Sequence, residues 1–599
     1  MNHYRTNRFT SRQQRSHKTT LGNLREQILG WLIVAIGLVF LFKLFYIQVI
    51  KHADYSSIAK AQHERKYIIP AKRGVIYFSD SNGKVVPAVL NSSVFSLYAD
   101  PHEVDDPSAE ANVIAEIIGG DRAKYQDQLS NKDSRYQILA KRLSLDQANE
   151  IKNRQDLKGL GLTEVPQRYY PEGAIGSQLL GFVNGEGQGQ YGIEGYYNDQ
   201  LSGKDGIRRT IASVSGVPLT IINDDSDSLT SAEDGASIYL NVDRTVQTEL
   251  EEALKETVDS SHADSASAII INSNNGKVVA SGGYPTYNAE DYYKTEDSSL
   301  FLNKSVSDGT EVGSVMKPMT MAAALDMGLV NKDTTFNNTN SVKVEDRTIG
   351  NATKTLHTGP TTMREVLENS MNTGMVFVLG QMGGGQINLQ ARENLHHYFY
   401  NQYGFGQITG IEQTGEAAGI MYGPDTQEGN NVRYSNMVFG QGVTVSLVQG
   451  ATSFSGVING GTIYKPQLVD KIKFSDGHEE IKRPEILRSN IVKPSVSADI
   501  IDMLQTTGAK NKTVPQRDGY VFGGKTGTSQ IVGSDGSYTK GGGRGTFLGF
   551  LGGDKPEYVM MIKVENPKVE GFAGGQTAAP VFKRVANWLI DYYKIEPKK

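Results

Sequence analysis

From Ile28 to Phe42 the chain reads ILGWLIVAIGLVFLF without a charge, and LFYIQVI carries the run past Lys43 to Ile50. As a helix rising about 1.5 Å per residue it reaches about 35 Å, enough for a hydrocarbon core of about 30 Å. A cleaved signal peptide has a shorter apolar stretch and a small-residue cleavage site, and neither fits here. The run therefore reads as an uncleaved anchor at 27–50. Arg5, Arg8, Arg12, Arg15, Lys18 and Arg25 precede it against the single acid Glu26. The positive-inside rule then predicts a cytoplasmic tail at 1–26 and an extracytoplasmic remainder. Lys43, near the outer end, reads as a snorkelling side chain rather than a partner contact within the membrane.

The chain beyond the span has to fold in water, and 599 residues exceed one domain. Hydrophobic residues at 38% and charged residues at 21% exclude a mostly disordered or polytopic chain. A balance of 61 basic and 66 acidic side chains excludes a binder of phosphate backbones driven by global charge, so no nucleic acid partner is expected. The absence of cysteine removes disulfides, thiolate zinc sites and cysteine nucleophiles. His63-Glu64 and His478-Glu479 each lack the second histidine of a zinc-protease helix. No metal or other cofactor is expected.

The expected fold class is α+β multidomain. Residues 51–225 offer short strands and helices, among them RGVIYF before SDSNGKVV, where Asn82-Gly83 signals a hairpin, and SAEANVIAEIIGG. They predict an irregular α+β pedestal. The acidic, serine-rich stretch at 223–234 predicts a linker at 226–235, leaving 236–599 as the last domain. There a hairpin at 265–283, a helix from Ser314 to Met327, strands in GYVFGGKTGTSQIVG, GRGTFLGFLGG and YVMMIKVE, and an amphipathic terminal helix predict an antiparallel sheet flanked by helices.

Three short motifs carry chemistry. In Ser314-Val315-Met316-Lys317, helical spacing puts a hydroxyl beside an amine, and desolvation or nearby positive charge lets that amine act as a base. Ser314 near a helix N-terminus also has backbone N–H groups that favour developing negative charge. Ser370-Met371-Asn372 is the second motif. Lys525-Thr526-Gly527-Thr528 is the third, where a lysine, two hydroxyls and a glycine on a strand suit a small carboxylate. Singly they are weak: Ser57, Ser81 and Ser537 also begin Ser-x-x-Lys, and Ser273-Asn274-Asn275 repeats the second pattern. A helix-capping Ser314, a turn Asn372 and a solvated Lys525 explain each piece alone. Their order, on helix, helix end and strand, is the stronger signal.

The set resembles that of the penicillin-binding proteins and serine β-lactamases. The resemblance extends to Arg73-Gly74-Val75-Ile76, RYYPEGAIGSQLLGFVN at 168–184, GIEGYYNDQLSGKDG at 192–206, LNVDRTVQTELE at 240–251, GQGVTVSLVQ at 440–449, NGGTIYKPQLV at 459–469, and Gly574-Gly575 before AAPVF. These are similar to the class B penicillin-binding proteins, the FtsI-like division type more than the elongation type. Val312 stands where the family usually has proline, and the hairpin after Arg73-Gly74 is two residues longer than the common form.

The resemblance implies a peptidoglycan D,D-transpeptidase. Ser314 would attack the D-Ala-D-Ala carbonyl and Lys317 would take its proton. Ser370 would relay a proton to the leaving amine, and Asn372 would hold the substrate amide and orient Lys317. Lys525, Thr526 and Thr528, with Gly527 between them, would bind the terminal carboxylate, and the amides of Ser314 and Thr528 would form the oxyanion hole. Implied partners are donor and acceptor stem peptides, β-lactam antibiotics, a SEDS-type glycosyltransferase and division proteins. The implied location is the bacterial cell membrane, at the division septum. An elongation-type transpeptidase, a β-lactamase and a non-catalytic division scaffold are the rival readings. The Glu-x-x-Leu-Asn stretch of class A β-lactamases is missing, and an intact trio disfavours a scaffold.

Overall fold

The computed structural model describes residues 20–56, 64–211, 228–352, 356–532, 538–569 and 573–598. The basic tail from Arg5 to Lys18, and Ser57 and Ser537, lie outside them.

Two units are distinguished. The first comprises residues 1–70 and 205–232. Its helix Thr20–Phe45 ends in a π-helical turn, Tyr46–Ile50, and the apolar stretch Leu24–Ile50 is long enough to cross a membrane. A three-stranded antiparallel sheet has the order Glu64–Ile69, Gly206–Ile211, Ser228–Thr230. The stretch expected as a linker at 226–235 is thus not free chain throughout, because Ser228–Thr230 pairs with Ile207, Arg208 and Arg209.

The second unit comprises residues 71–204 and 233–599. Strand Ser237–Asp243 lies between Ile76–Ser79, to which it is parallel, and Val469–Lys473, to which it is antiparallel. The sheet continues through Val85–Ala99, flanked by Gln137–Leu143 and Leu160–Tyr169. Residues on both sides of the boundary expected at 236 therefore build one sheet. The Asn82-Gly83 turn forms as expected, with Gly83 at φ 72° and Asp80 Oδ1 accepting from the amides of Asn82 and Lys84. The segments around Arg73, Arg168 and Glu194 meet inside this part. Glu194, fully buried, accepts from Arg73 Nε and from Arg168 Nε, each at 2.7 Å. Asn91 closes the cluster, taking Arg168 Nη1 at 2.6 Å and donating to Arg73 O at 2.6 Å.

A second sheet has five antiparallel strands in the order Val278–Tyr284, Ser265–Asn272, Pro556–Glu565, Tyr538–Gly552, Val521–Val532. Ile270, Met560, Ile562 and Phe547 turn one face toward helices Arg244–Ser261 and Ala578–Tyr592. Ile269, Met561, Leu548 and Phe550 turn the other toward helix Leu447–Ile458 and its neighbours. Side chains alternate along a strand, so burial of both faces makes the strands read as continuous apolar runs. Val521–Val532 lies at the end of this order, bounded on one side only.

Candidate active site

Ser314 does not begin an α-helix, as its spacing suggests. It lies in a 3-10 turn, Gly313–Met316, and the α-helix is Lys317–Asp326. Residues three apart eclipse in a 3-10 turn, so Ser314 and Lys317 still share a side. Pro318 falls in the first helical turn, where its missing N–H leaves no carbonyl unpaired, and Gly328 at φ 71° closes the far end.

The turn is laid along the edge strand. Ser529 Oγ donates to Glu311 O at 2.7 Å, and Thr546 Oγ1, from the next strand, donates to Val312 O at 2.8 Å. A side-chain carbon on Gly527 would stand 2.6 Å from Val312 O and 3.2 Å from Ser314 N. Glycine at 527 is thus what lets the two backbones touch. Gly313, at φ 63°, donates its amide to Gly440 O at 3.0 Å, and a carbon added to it would lie 3.2 Å from Thr528 N. The Thr528 amide therefore adjoins the backbone that carries Ser314.

Behind Ser314 sit two buried amines. Lys317, fully buried, donates through Nζ to Ser370 O at 2.5 Å and to Ser370 Oγ at 3.0 Å. Burial first, and the charge of Lys525 second, hold its pKa well below the usual lysine range. Lys525 donates to Thr526 O at 3.0 Å, and burial brings it down to about 7. Lys525 and Gly527 share the face that looks toward Lys317, while Thr526 and Thr528 alternate to the other side, half-buried and exposed.

Ser370 comes after helix Met363–Glu368, whose start is fixed by a capping box between Thr362 and Glu365. Its own backbone is left-handed, φ 52°, which turns both its carbonyl and its hydroxyl toward Lys317. Asn372 opens helix Asn372–Met382, and its Nδ2 donates to Gly350 O at 2.9 Å. The expectation that Asn372 orients Lys317 is corrected: among the described residues both hydrogen bonds of Lys317 Nζ go to Ser370. Asn372 instead faces the hairpin of strands Ser341–Val344 and Arg347–Gly350.

The three motifs thus meet: Lys317 against Ser370, Lys525 close enough to act on Lys317, and Ser314 against Gly527. Sequence reasoning did not single out Ser529, Thr546 or Gly350. Gly440 and Gly574 stood within family-like segments without a role. Added side-chain carbons would lie 2.1 Å from Gly313 O at Gly440 and 2.4 Å from Gly527 O at Gly574, so both buttress the site by close approach.

The penicillin binding protein transpeptidase domain family matches residues 266–587, and the penicillin-binding protein dimerisation domain family matches 68–240. Stage V sporulation protein D of Bacillus subtilis (strain 168) is 30% identical over 587 residues, covering 96% of this chain and 87% of its own. Peptidoglycan D,D-transpeptidase FtsI of Escherichia coli (strain K12) is 26% identical over 570 residues, covering 92% and 87%. Among solved structures, Penicillin Binding Protein 2X from Streptococcus thermophilus shares the fold with a TM-score of 0.69, at 23% identity, over 89% of this chain and 81% of its own. With a dimerisation domain ahead of a transpeptidase domain, the chain belongs to the class B penicillin-binding proteins.

Proposed function

We propose that this chain is a serine-type peptidoglycan D,D-transpeptidase that crosslinks stem peptides through an acyl-enzyme on Ser314. The observation that carries the reading is the buried Lys317 amine, depressed in pKa, one helical turn from Ser314 and in contact with Ser370. A neutral amine accepts the Ser314 proton as Oγ attacks the D-Ala-D-Ala carbonyl. The amides of Ser314 and Thr528 receive the oxyanion. The proton passes by way of Ser370 Oγ to the departing D-Ala amine as the C–N bond breaks. The terminal carboxylate lies along the open edge of Val521–Val532, where Lys525 reaches it from one face and Thr526 and Thr528 from the other, and Asn372 takes the substrate amide once released from Gly350. The amine of a second stem peptide then attacks the ester and frees Ser314.

A β-lactam mimics the donor and stops at the acyl-enzyme. A fluorescent penicillin therefore tests the reading: a long-lived adduct is expected on the wild type and none on Ser314→Ala. Rapid turnover would indicate a β-lactamase, and no adduct a scaffold.

Septal cell-wall synthesis is the cellular role favoured, on the likeness to FtsI. The basic tail is then cytoplasmic and the site lies outside the membrane. A SEDS-type glycosyltransferase and division proteins meet the anchor and pedestal. Midcell fluorescence of a tagged full-length chain is expected; side-wall fluorescence would assign elongation instead. Replacing residues 28–50 by an unrelated span is expected to weaken association with the glycosyltransferase.

A further inference from the structure

Four charged side chains on the catalytic side of the five-stranded sheet have no part in the proposed reaction. Lys563 is fully buried, a cation directly after the apolar run Val559-Met560-Met561-Ile562. Its Nζ pairs with Asp308 Oδ2 and, at 3.0 Å, with Glu565 Oε1. Arg544 Nε in turn reaches both oxygens of Glu565, at 2.9 and 2.7 Å. Two cations against two anions make the cluster neutral, which is what allows a lysine there at all.

The placement of Lys563 matters more than its burial. The strand register aligns Lys563 with Thr546, and Thr546 with Gly527, so the three form one row across three strands, on one face. The segment bearing Ser314 runs along this row. Asp308 sits on Lys563, the Val312 carbonyl sits on Thr546, and the Ser314 amide sits on Gly527. Between them Thr310 exchanges backbone hydrogen bonds with Val445, and Glu311 Oε1 accepts from Gly442 N at 2.6 Å. Of the contacts just named, Asp308–Lys563 is the one between two charged side chains, and it is partly withdrawn from water, where a charge-assisted bond is strongest.

We infer that Lys563, through Asp308, is a positioning residue that fixes the height of the Ser314 turn above the edge strand. The inference rests on the acyl-serine reading and deepens it. The pair touches no reacting atom; it acts on the alignment of Ser314 Oγ with the carbonyl it attacks. Misplacement of a reacting group by about 1 Å costs on the order of a hundredfold in rate. Neutralising the pair should therefore appear in the chemical step and not in substrate capture.

The test uses full-length protein and a fluorescent penicillin, with labelling followed over time at several concentrations. This separates the dissociation constant of the non-covalent complex from the acylation rate constant. Asp308→Asn is the primary variant, since the Asp308 side chain is 38% exposed and its loss leaves Lys563 with Glu565. The acylation rate constant is expected to fall about tenfold or more, with the dissociation constant within about twofold. Lys563→Met is expected to do the same, and the double variant to lose no more than the worse single one. If Lys563→Met does not fold, Asp308→Asn decides alone. A merely structural pair would lower the fraction of protein that labels and leave the rate constant of that fraction unchanged, which overturns the inference. A wild type that forms no Ser314 adduct overturns the acyl-serine reading, and this inference with it.

Discussion

Ser370 offers Lys317 two acceptors at once, its carbonyl at 2.5 Å and its hydroxyl at 3.0 Å from Nζ. The hydroxyl can be removed while the carbonyl keeps the amine in place. Ser370→Ala should slow penicillin acylation about 10²-fold or more, the usual worth of a positioned proton relay. Stability should change by no more than about 2 kcal/mol, the worth of one hydrogen bond to a buried amine. Stopped-flow labelling and thermal unfolding read the two effects separately.

Lys525 should write its pKa into both activity and stability. Capture of an anionic penicillin requires the charged amine, so the second-order acylation constant should decline as pH rises through about 7. Lys525→Arg, which stays charged, should remove that decline. The folded pKa lies below the unfolded value of about 10.4, so between about 7 and 10 the unfolded chain binds the extra proton and stability rises with pH. Lys525→Met should thus be more stable than wild type at pH 6, with the difference shrinking toward pH 10 in denaturant titrations.

Gly527→Ala tests the close approach. The added carbon would stand 2.3 Å from Thr546 Oγ1 and 2.6 Å from Val312 O, so one backbone has to retreat. Overpacking of this kind costs about 1–3 kcal/mol. The larger effect should be on labelling, because the same retreat moves the Ser314 amide out of the oxyanion position. Denaturation midpoints with acylation rates of the folded protein would expose the disproportion.

Glu194→Ala should behave in the opposite way. It would leave Arg73 and Arg168 buried without their carboxylate, a loss of about 3–5 kcal/mol. Among the described residues the hydrogen bonds and ion pairs of that cluster reach neither the Ser314 turn nor the two buried amines. Thermal unfolding should therefore move to lower temperature while the folded fraction labels at the wild-type rate.

The parts of this molecule legible in its sequence were those with local signatures. The Asn82-Gly83 turn and the three motifs announce themselves within a few residues. The 3-10 turn at Gly313–Met316 was hidden because Ser-x-x-Lys fits a 3-10 and an α geometry alike. Lys563 was hidden for a different reason. A lysine in YVMMIKVE reads as the solvated side of a strand, and only the second layer of helices makes that side an interior. The partner of Asn372 was out of reach, since Gly350 is brought to it by a hairpin whose docking no local pattern records. Strand Ser237–Asp243 looked like the start of a domain because its neighbours on both sides are distant in the chain.

That strand has a practical corollary for anyone trimming the gene. Severing the polypeptide just before residue 236 would strip Ser237–Asp243 of Ile76–Ser79 and leave an unpaired row of amides and carbonyls inviting aggregation. A fragment freed of the apolar span should therefore begin between Ile50 and Glu64, which keeps Ile76–Ser79 beside Ser237–Asp243 and Glu64–Ile69 beside Gly206–Ile211.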